Sequence, residues 1–123
     1  MKKTTVRNKL DKVVSKIVRA RGKCQNCGSI KSLQAAHIFS RIYNNTRWDL
    51  DNLLCLCASC HFFFHKNPLE FAHFVGEEKY QLLKEARNQI TKYSTADLEL
   101  KFKVLEDIWK TLSASAVVLP PDK

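Results

Sequence analysis

Two close cysteine pairs, Cys24-x2-Cys27 and Cys57-x2-Cys60, constrain the fold of this chain more than any other feature. A two-residue gap lets both sulfurs of a knuckle reach one ion, and four thiolates complete a tetrahedral zinc site. The stretch from 23 to 66 is too short and too polar to hold itself together without such a staple. The knuckles lie further apart than in compact zinc ribbons, so a structured insertion is expected between them. The fifth cysteine, Cys55, has apolar neighbours that predict a buried thiol; its alternative role is to replace Cys57 in the zinc set. His61 is in the same way an alternative ligand to Cys60.

A chain of 123 residues is one domain's worth. It carries 21 Lys and Arg against 12 Asp and Glu, a net charge of +9. The excess gathers early: Lys2, Lys3, Arg7, Lys9, Lys12, Lys16, Arg19, Arg21, Lys23 and Lys31 face the single acid Asp11. Such a run suits a polyanion, DNA first and RNA second; its bland alternative is a solvated face. The charged start is followed by no apolar run of the secretory kind, and no apolar stretch is long enough to cross a membrane. Thiolates on a metal in a reducing cytoplasm are therefore expected in preference to disulfides.

Leu10, Val13, Val14, Ile17 and Val18 recur at helical spacing and predict an amphipathic helix over 5–20, stopped by Gly22. Residues 33–39 read as a strand ending near His37, residues 40–51 as a polar loop, and 53–56 as a second strand. Ser59 is the expected N-cap of a helix carrying His61 and His65, which share a face because they are four apart. Asn67-Pro68 predicts a helix to about 74, broken by Gly76; 77–92 reads as another, with Tyr80, Leu83, Ala86, Arg87 and Ile90 on one side. Ser94 to Asp97 resembles a capping box, opening a long helix whose apolar side is Leu98, Phe102, Leu105, Ile108, Trp109 and Leu112. The tail ends in Pro120-Pro121 and reads as frayed. The expected organisation is a basic helix (1–22), a zinc-stapled core (23–75), a helical region (76–113) and a flexible tail (114–123).

The cysteines leave His37, Asn52, His61 and His65 to be explained. Their order and spacing resemble the HNH endonuclease family, through Leu33-Gln-Ala-Ala-His37-Ile, Asp51-Asn52-Leu-Leu and Leu56-Cys57-Ala-Ser-Cys60-His61. A looser similarity to phage recombination endonucleases of the Rap/NinG type lies in His37-x2-Ser40-Arg41, Arg47-Trp48-Asp49 and Asn67-Pro-x2-Phe71. The family resemblance implies an α+β fold, a zinc-stapled ββα-metal core with helices before and after it. It implies His37 as general base, Asn52 holding the His37 ring by a hydrogen bond, and His61 and His65 gripping one divalent ion. The implied activity is hydrolysis of DNA phosphodiesters, leaving 5′-phosphate and 3′-hydroxyl ends.

One departure stands out. Where much of the family has an acidic or histidine ion ligand just before the base, this chain has Ala36. Either the ion has only two protein ligands plus water and phosphate, or a loop residue such as Asp49 or Asp51 substitutes, or the site is weak or dead. A neutral ligand set favours Mn2+, Ni2+, Co2+ or Zn2+ over Mg2+, although family members accept Mg2+. Arg41, Arg47 and Lys66 are candidate phosphate contacts, the two arginines being otherwise solvated loop residues. Trp48 reads as a packing anchor and His73 as structural. Two other functions compete: a non-catalytic zinc-containing nucleic-acid binder, and an interaction module in which the C-terminal helices bind a partner, a second copy or a phage or recombination protein, through Leu98 to Leu112; that face is expected in preference to pack on the N-terminal helix.

Overall fold

The computed structural model describes residues 2–89 and 91–115. Its elements follow the order α1 (Lys3–Arg19), β1 (Leu33–His37), α2 (Asn44–Arg47), a 3-10 turn (Leu50–Asn52), β2 (Leu53–Cys57), α3 (Ala58–Lys66), α4 (Pro68–Val75), α5 (Glu77–Asn88) and α6 (Thr95–Ser115). β1 and β2 pair antiparallel, from Leu33 opposite Cys57 to His37 opposite Leu53. With α3 they form the expected ββα unit, flanked by helices on both sides in sequence.

Strand alternation gives the hairpin two buried faces. On one, Leu53 and Cys55, with Leu33 and Ala35, meet Val6, Leu10, Val13, Val14, Ile17 and Val18 of α1. The same cluster takes in Leu98 and Leu105 of α6, with Phe102 and Trp109 against it. On the other, Ala36, Leu54 and Leu56 meet Phe64 of α3, backed by Phe71 and Phe74 of α4. All five residues of β2 are buried, which is why it reads as an unbroken apolar run. Each fully buried Leu or Val contributes roughly 1.5–3 kcal/mol, so α1 and α6 together form one of the two cores on which the hairpin rests.

Several local expectations change. α3 begins at Ala58 directly from the strand, so Ser59 lies inside the first turn, and the N-cap, Cys57, makes no side-chain cap bond. Asn67 precedes Pro68 as expected, but its side chain donates to Phe63 O at 2.8 Å and closes the preceding helix instead. The loop over 40–51 contains α2 and the 3-10 turn. α5 ends at Asn88; Ile90 lies outside the described residues. Ile108 and Leu112 face outward, because α6 turns only Leu98, Phe102, Leu105 and Trp109 toward α1. Ser94 and Asp97 do form a reciprocal capping box, with bonds of 2.9 and 3.0 Å. The helix continues through Ser115, and 116–123 lie outside the described residues. No described helix is long and apolar enough to cross a membrane.

Candidate metal and catalytic site

The first knuckle is a tight turn, closed by Gly28 N–H on Cys24 O at 2.9 Å and Cys24 N–H on Ser29 O at 2.8 Å. Gly28 sits at φ +80°, a conformation that a side chain resists. Gln25 zips this turn onto β2: its N–H donates to Cys55 O, and its side-chain oxygen accepts from Cys55 N–H, both at 2.8 Å. That register sets the first cysteine pair beside the second. The sulfurs of Cys24, Cys27, Cys57 and Cys60 all lie within 4.8 Å of one another, with Cys27 and Cys57 at 3.7 Å.

Zinc–sulfur bonds of about 2.3 Å in a tetrahedron set the sulfurs about 3.8 Å apart, so the cluster fits zinc. The protonation tendencies point the same way. Burial pushes the Cys24 thiol up, but the backbone N–H groups of Cys27, Cys57 and Asn26 outweigh it and bring it to about 6. The Asn26 amide, 3.3 Å from Cys60 Sγ, favours its thiolate, yet burial and the other three sulfurs push it up to about 12. The Cys24 thiolate is favoured and that of Cys60 is opposed, as expected of sulfurs set close enough to share one cation. Cys55 stands apart from this set; burial, above all, raises its thiol. It packs toward α1, and neither it nor His61 replaces a cysteine in the cluster.

His37 ends β1. Its Nε2 lies 3.0 Å from Arg47 O. A carbonyl only accepts, so Nε2 carries the proton and Nδ1 is left as a bare lone pair. Burial is the largest influence on this ring and holds it below the ordinary imidazole range. The Arg47 carbonyl opposes that effect, and the Arg41 charge adds to it.

Asn52 is fully buried. It accepts from Phe39 N–H at 2.8 Å and donates to Phe39 O and Thr46 O, both at 3.0 Å. The expected direct bond to the His37 ring is replaced by this indirect arrangement. Asn52 ties the chain beyond His37 to α2, and the last residue of α2 presents the carbonyl that holds the ring.

His61, on α3, places Nδ1 at 2.6 Å from Gln34 Oε1 of β1. Burial lowers its affinity for a proton, and the nearby His65 lowers it further. His65 is exposed on the same helix. The donor atoms of His37, His61 and His65 do not close on one point. Among the described residues, the four cysteines are the sole group of three or more His, Cys, Asp or Glu whose donor atoms close on one point. Strand alternation puts Ala36 on the α3 side, 1% exposed among Leu54, Leu56 and Phe64, while His37 leaves from the other side. Asp49 caps the 3-10 turn by accepting from Asp51 N–H at 2.9 Å, and neither acid joins His61 and His65.

The candidate phosphate contacts separate. Arg47 donates to both oxygens of Asp11, at 3.0 and 2.7 Å, and lies 5.1 Å from the centre of the Trp48 ring. Its charge is therefore internal, which removes it from the exposed phosphate contacts. Arg41 reaches Asp11 at 3.4 Å with its side chain 60% exposed, and Lys66 is exposed over the Phe62 ring. Trp48 is the anchor expected, donating from Nε1 to Asp11 at 2.9 Å. Arg21, counted with the basic run, donates to Leu53 O and Leu50 O. His73 is exposed.

Sequence reasoning missed three positioning groups. Asp11 had one signal, as the lone acid in a basic run. Gln34 had none beyond its place on the strand of His37. α5 also grips the loop: Asn45 donates to Ala86 O and Gln89 O, and Arg87 lies 4.8 Å from the rings of both Phe39 and Tyr43.

This geometry defines a four-cysteine ββα unit with histidines on the strand end and the helix. Residues 23–72 match the family model described as HNH endonuclease, less than half of the chain but all of that unit. That stretch is thus similar to an HNH endonuclease domain, and the class of activity the match implies is that of a nuclease acting on nucleic acid. No curated protein and no solved structure matches. The looser likeness to phage recombination endonucleases has no support from these comparisons.

Proposed function

We propose that the protein is a metal-dependent endonuclease hydrolysing DNA phosphodiester bonds, with His37 as general base. The observation that carries this reading is the His37 ring. Its Nε2–H is spent on a backbone carbonyl, and its free Nδ1 titrates below the usual range, inside the segment matched to HNH endonucleases. Such a ring is unprotonated at neutral pH and oriented to accept a proton from water.

His61 and His65 would hold the divalent ion, with solvent and substrate oxygens completing its shell. Two neutral imidazoles suit Mn2+, Ni2+, Co2+ or Zn2+ better than Mg2+. An ion bound there supplies positive charge against the phosphate and the departing 3′-oxygen. In-line displacement sets the attacking and leaving oxygens on opposite sides of phosphorus. The base and the ion ligands therefore need not share one pocket; the phosphate would lie between them, across the end of the hairpin. His37 Nδ1 takes the proton of the attacking water as a new P–O bond forms. The bond to the 3′-oxygen breaks, and that oxygen takes a proton from solvent. Arg41 and Lys66 are the proposed contacts to flanking phosphates.

The test is nicking of supercoiled plasmid in each of these metals by the wild type and by His37→Ala. A loss of about 100-fold or more in rate is expected; equal cutting by both proteins removes His37 as the base.

A second reading, a zinc-containing nucleic-acid binder without activity, draws on Ala36, whose buried apolar place offers the ion nothing. It expects salt-sensitive DNA binding, with a slope of log K on log[salt] of roughly −4 to −5 for about five neutralised phosphates, and no cleavage in any metal.

A further inference from the structure

We infer that Gln34 is a positioning residue for the ion site: its side-chain oxygen holds His61 as the Nδ1–H tautomer and turns Nε2 outward as the donor to a divalent cation. This rests on the nuclease reading of His61 and His65, and it deepens that reading by naming what orients the first ligand.

The geometry is specific. Gln34 sits on the α3 side of β1, two residues before Ala36, opposite Leu56. Its Oε1 lies 2.6 Å from His61 Nδ1 and bridges strand to helix. An amide oxygen only accepts, so Nδ1 must carry the hydrogen, and Nε2 alone keeps a lone pair. Without this bond the ring can rotate and present either nitrogen. Histidine ligands elsewhere commonly donate their second N–H to an oxygen, which fixes the ring and raises its basicity; loss of such a partner costs 10–100-fold in metal affinity. Dependence on that bond is greater here, because no third protein ligand gathers with His61 and His65.

Gln34 is exposed and packs in neither core cluster, so replacing it leaves the fold intact. The experiment uses the full chain with its cysteine site already loaded with zinc. Mn2+ binding is then followed by electron paramagnetic resonance for the wild type, Gln34→Ala and Gln34→Glu. Gln34→Ala is expected to bind Mn2+ about 10- to 100-fold more weakly, with its zinc content unchanged. Gln34→Glu is expected to match or exceed the wild type, since a carboxylate can only accept and so preserves the one function assigned to Gln34. Equal Mn2+ affinity in Gln34→Ala and the wild type would overturn the assignment while leaving the nuclease reading in place. Weak binding by both variants would overturn it too, since the amide would then be acting as donor. Absence of Mn2+ binding in the wild type removes the ion site, and this assignment with it.

Discussion

Asp11 of α1 accepts both arms of the Arg47 guanidinium and, on the same oxygen as Arg47 Nε, the Trp48 indole N–H. One carboxylate therefore docks the basic helix onto the loop that orients the His37 ring. Burial works against its charge, but the Arg47 and Trp48 bonds, with the Arg47 and Arg41 charges, prevail and hold it below the usual carboxylate value. Asp11→Ala leaves a mostly buried guanidinium and indole N–H without their acceptor. A loss of roughly 1–3 kcal/mol is expected in urea unfolding. Nicking should fall as well, because the Arg47 carbonyl loses its anchor. A variant as stable as the wild type would show the cluster to be ornamental. The sign with pH follows from the lowered value: the contribution is present above 3.8 and is lost as pH falls through the native value.

The His37 ring sets a second pH dependence. Its native affinity for a proton is below that of a free imidazole at 6.5, so the unfolded chain binds more protons just below that pH. The contribution of this group to stability is present above 6.5 and is lost as pH falls through the native value. Catalysis should follow the same limb, staying flat at neutral pH and declining only below 6.5. Arg41→Gln removes one of the charges that lower the ring and should move the limb to higher pH. A limb at or above 6.5 in the wild type would contradict the role given to burial.

Asn52 ties together three backbone groups of the loop. Asn52→Ala leaves Phe39 N–H, Phe39 O and Thr46 O without their partners in a buried setting. The expected cost is roughly 3 kcal/mol. Asn52→Asp should be nearly as harmful, since a carboxylate cannot donate to those two carbonyls. Thermal unfolding of the two variants checks this. A harmless Asn52→Asp would mean that the donor half of the amide is dispensable.

Zinc should be part of the folded state. Chelation, or Cys57→Ser, is expected to unfold the stretch around 23–66, read as loss of hairpin protection in hydrogen exchange. His61→Ala should keep its zinc while losing the second ion, which separates the two metals by elemental analysis. Loss of zinc in His61→Ala would move that histidine into the cysteine set.

Much of this protein was legible in its residue order because the deciding constraints are local. Knuckle spacing names zinc ligands whatever surrounds them. The periodicity of Leu10 to Val18 names an amphipathic helix, and the apolar run Leu53 to Leu56 names a strand. Ser94 and Asp97 declare a helix start through contacts three residues apart. What tertiary structure alone decided were the long-range polar contacts. Asp11 meets Arg47 across 36 residues, Gln34 meets His61 across 27, and Asn45 meets the end of α5 across 41 and 44. No periodicity encodes which distant donor an isolated carboxylate or amide will meet. The same holds for Asn52, expected to grip the His37 ring and found gripping backbone. A side-chain amide bonds whichever unpaired carbonyls the folded loop brings to it, and those exist only once the hairpin, α1 and α5 have packed.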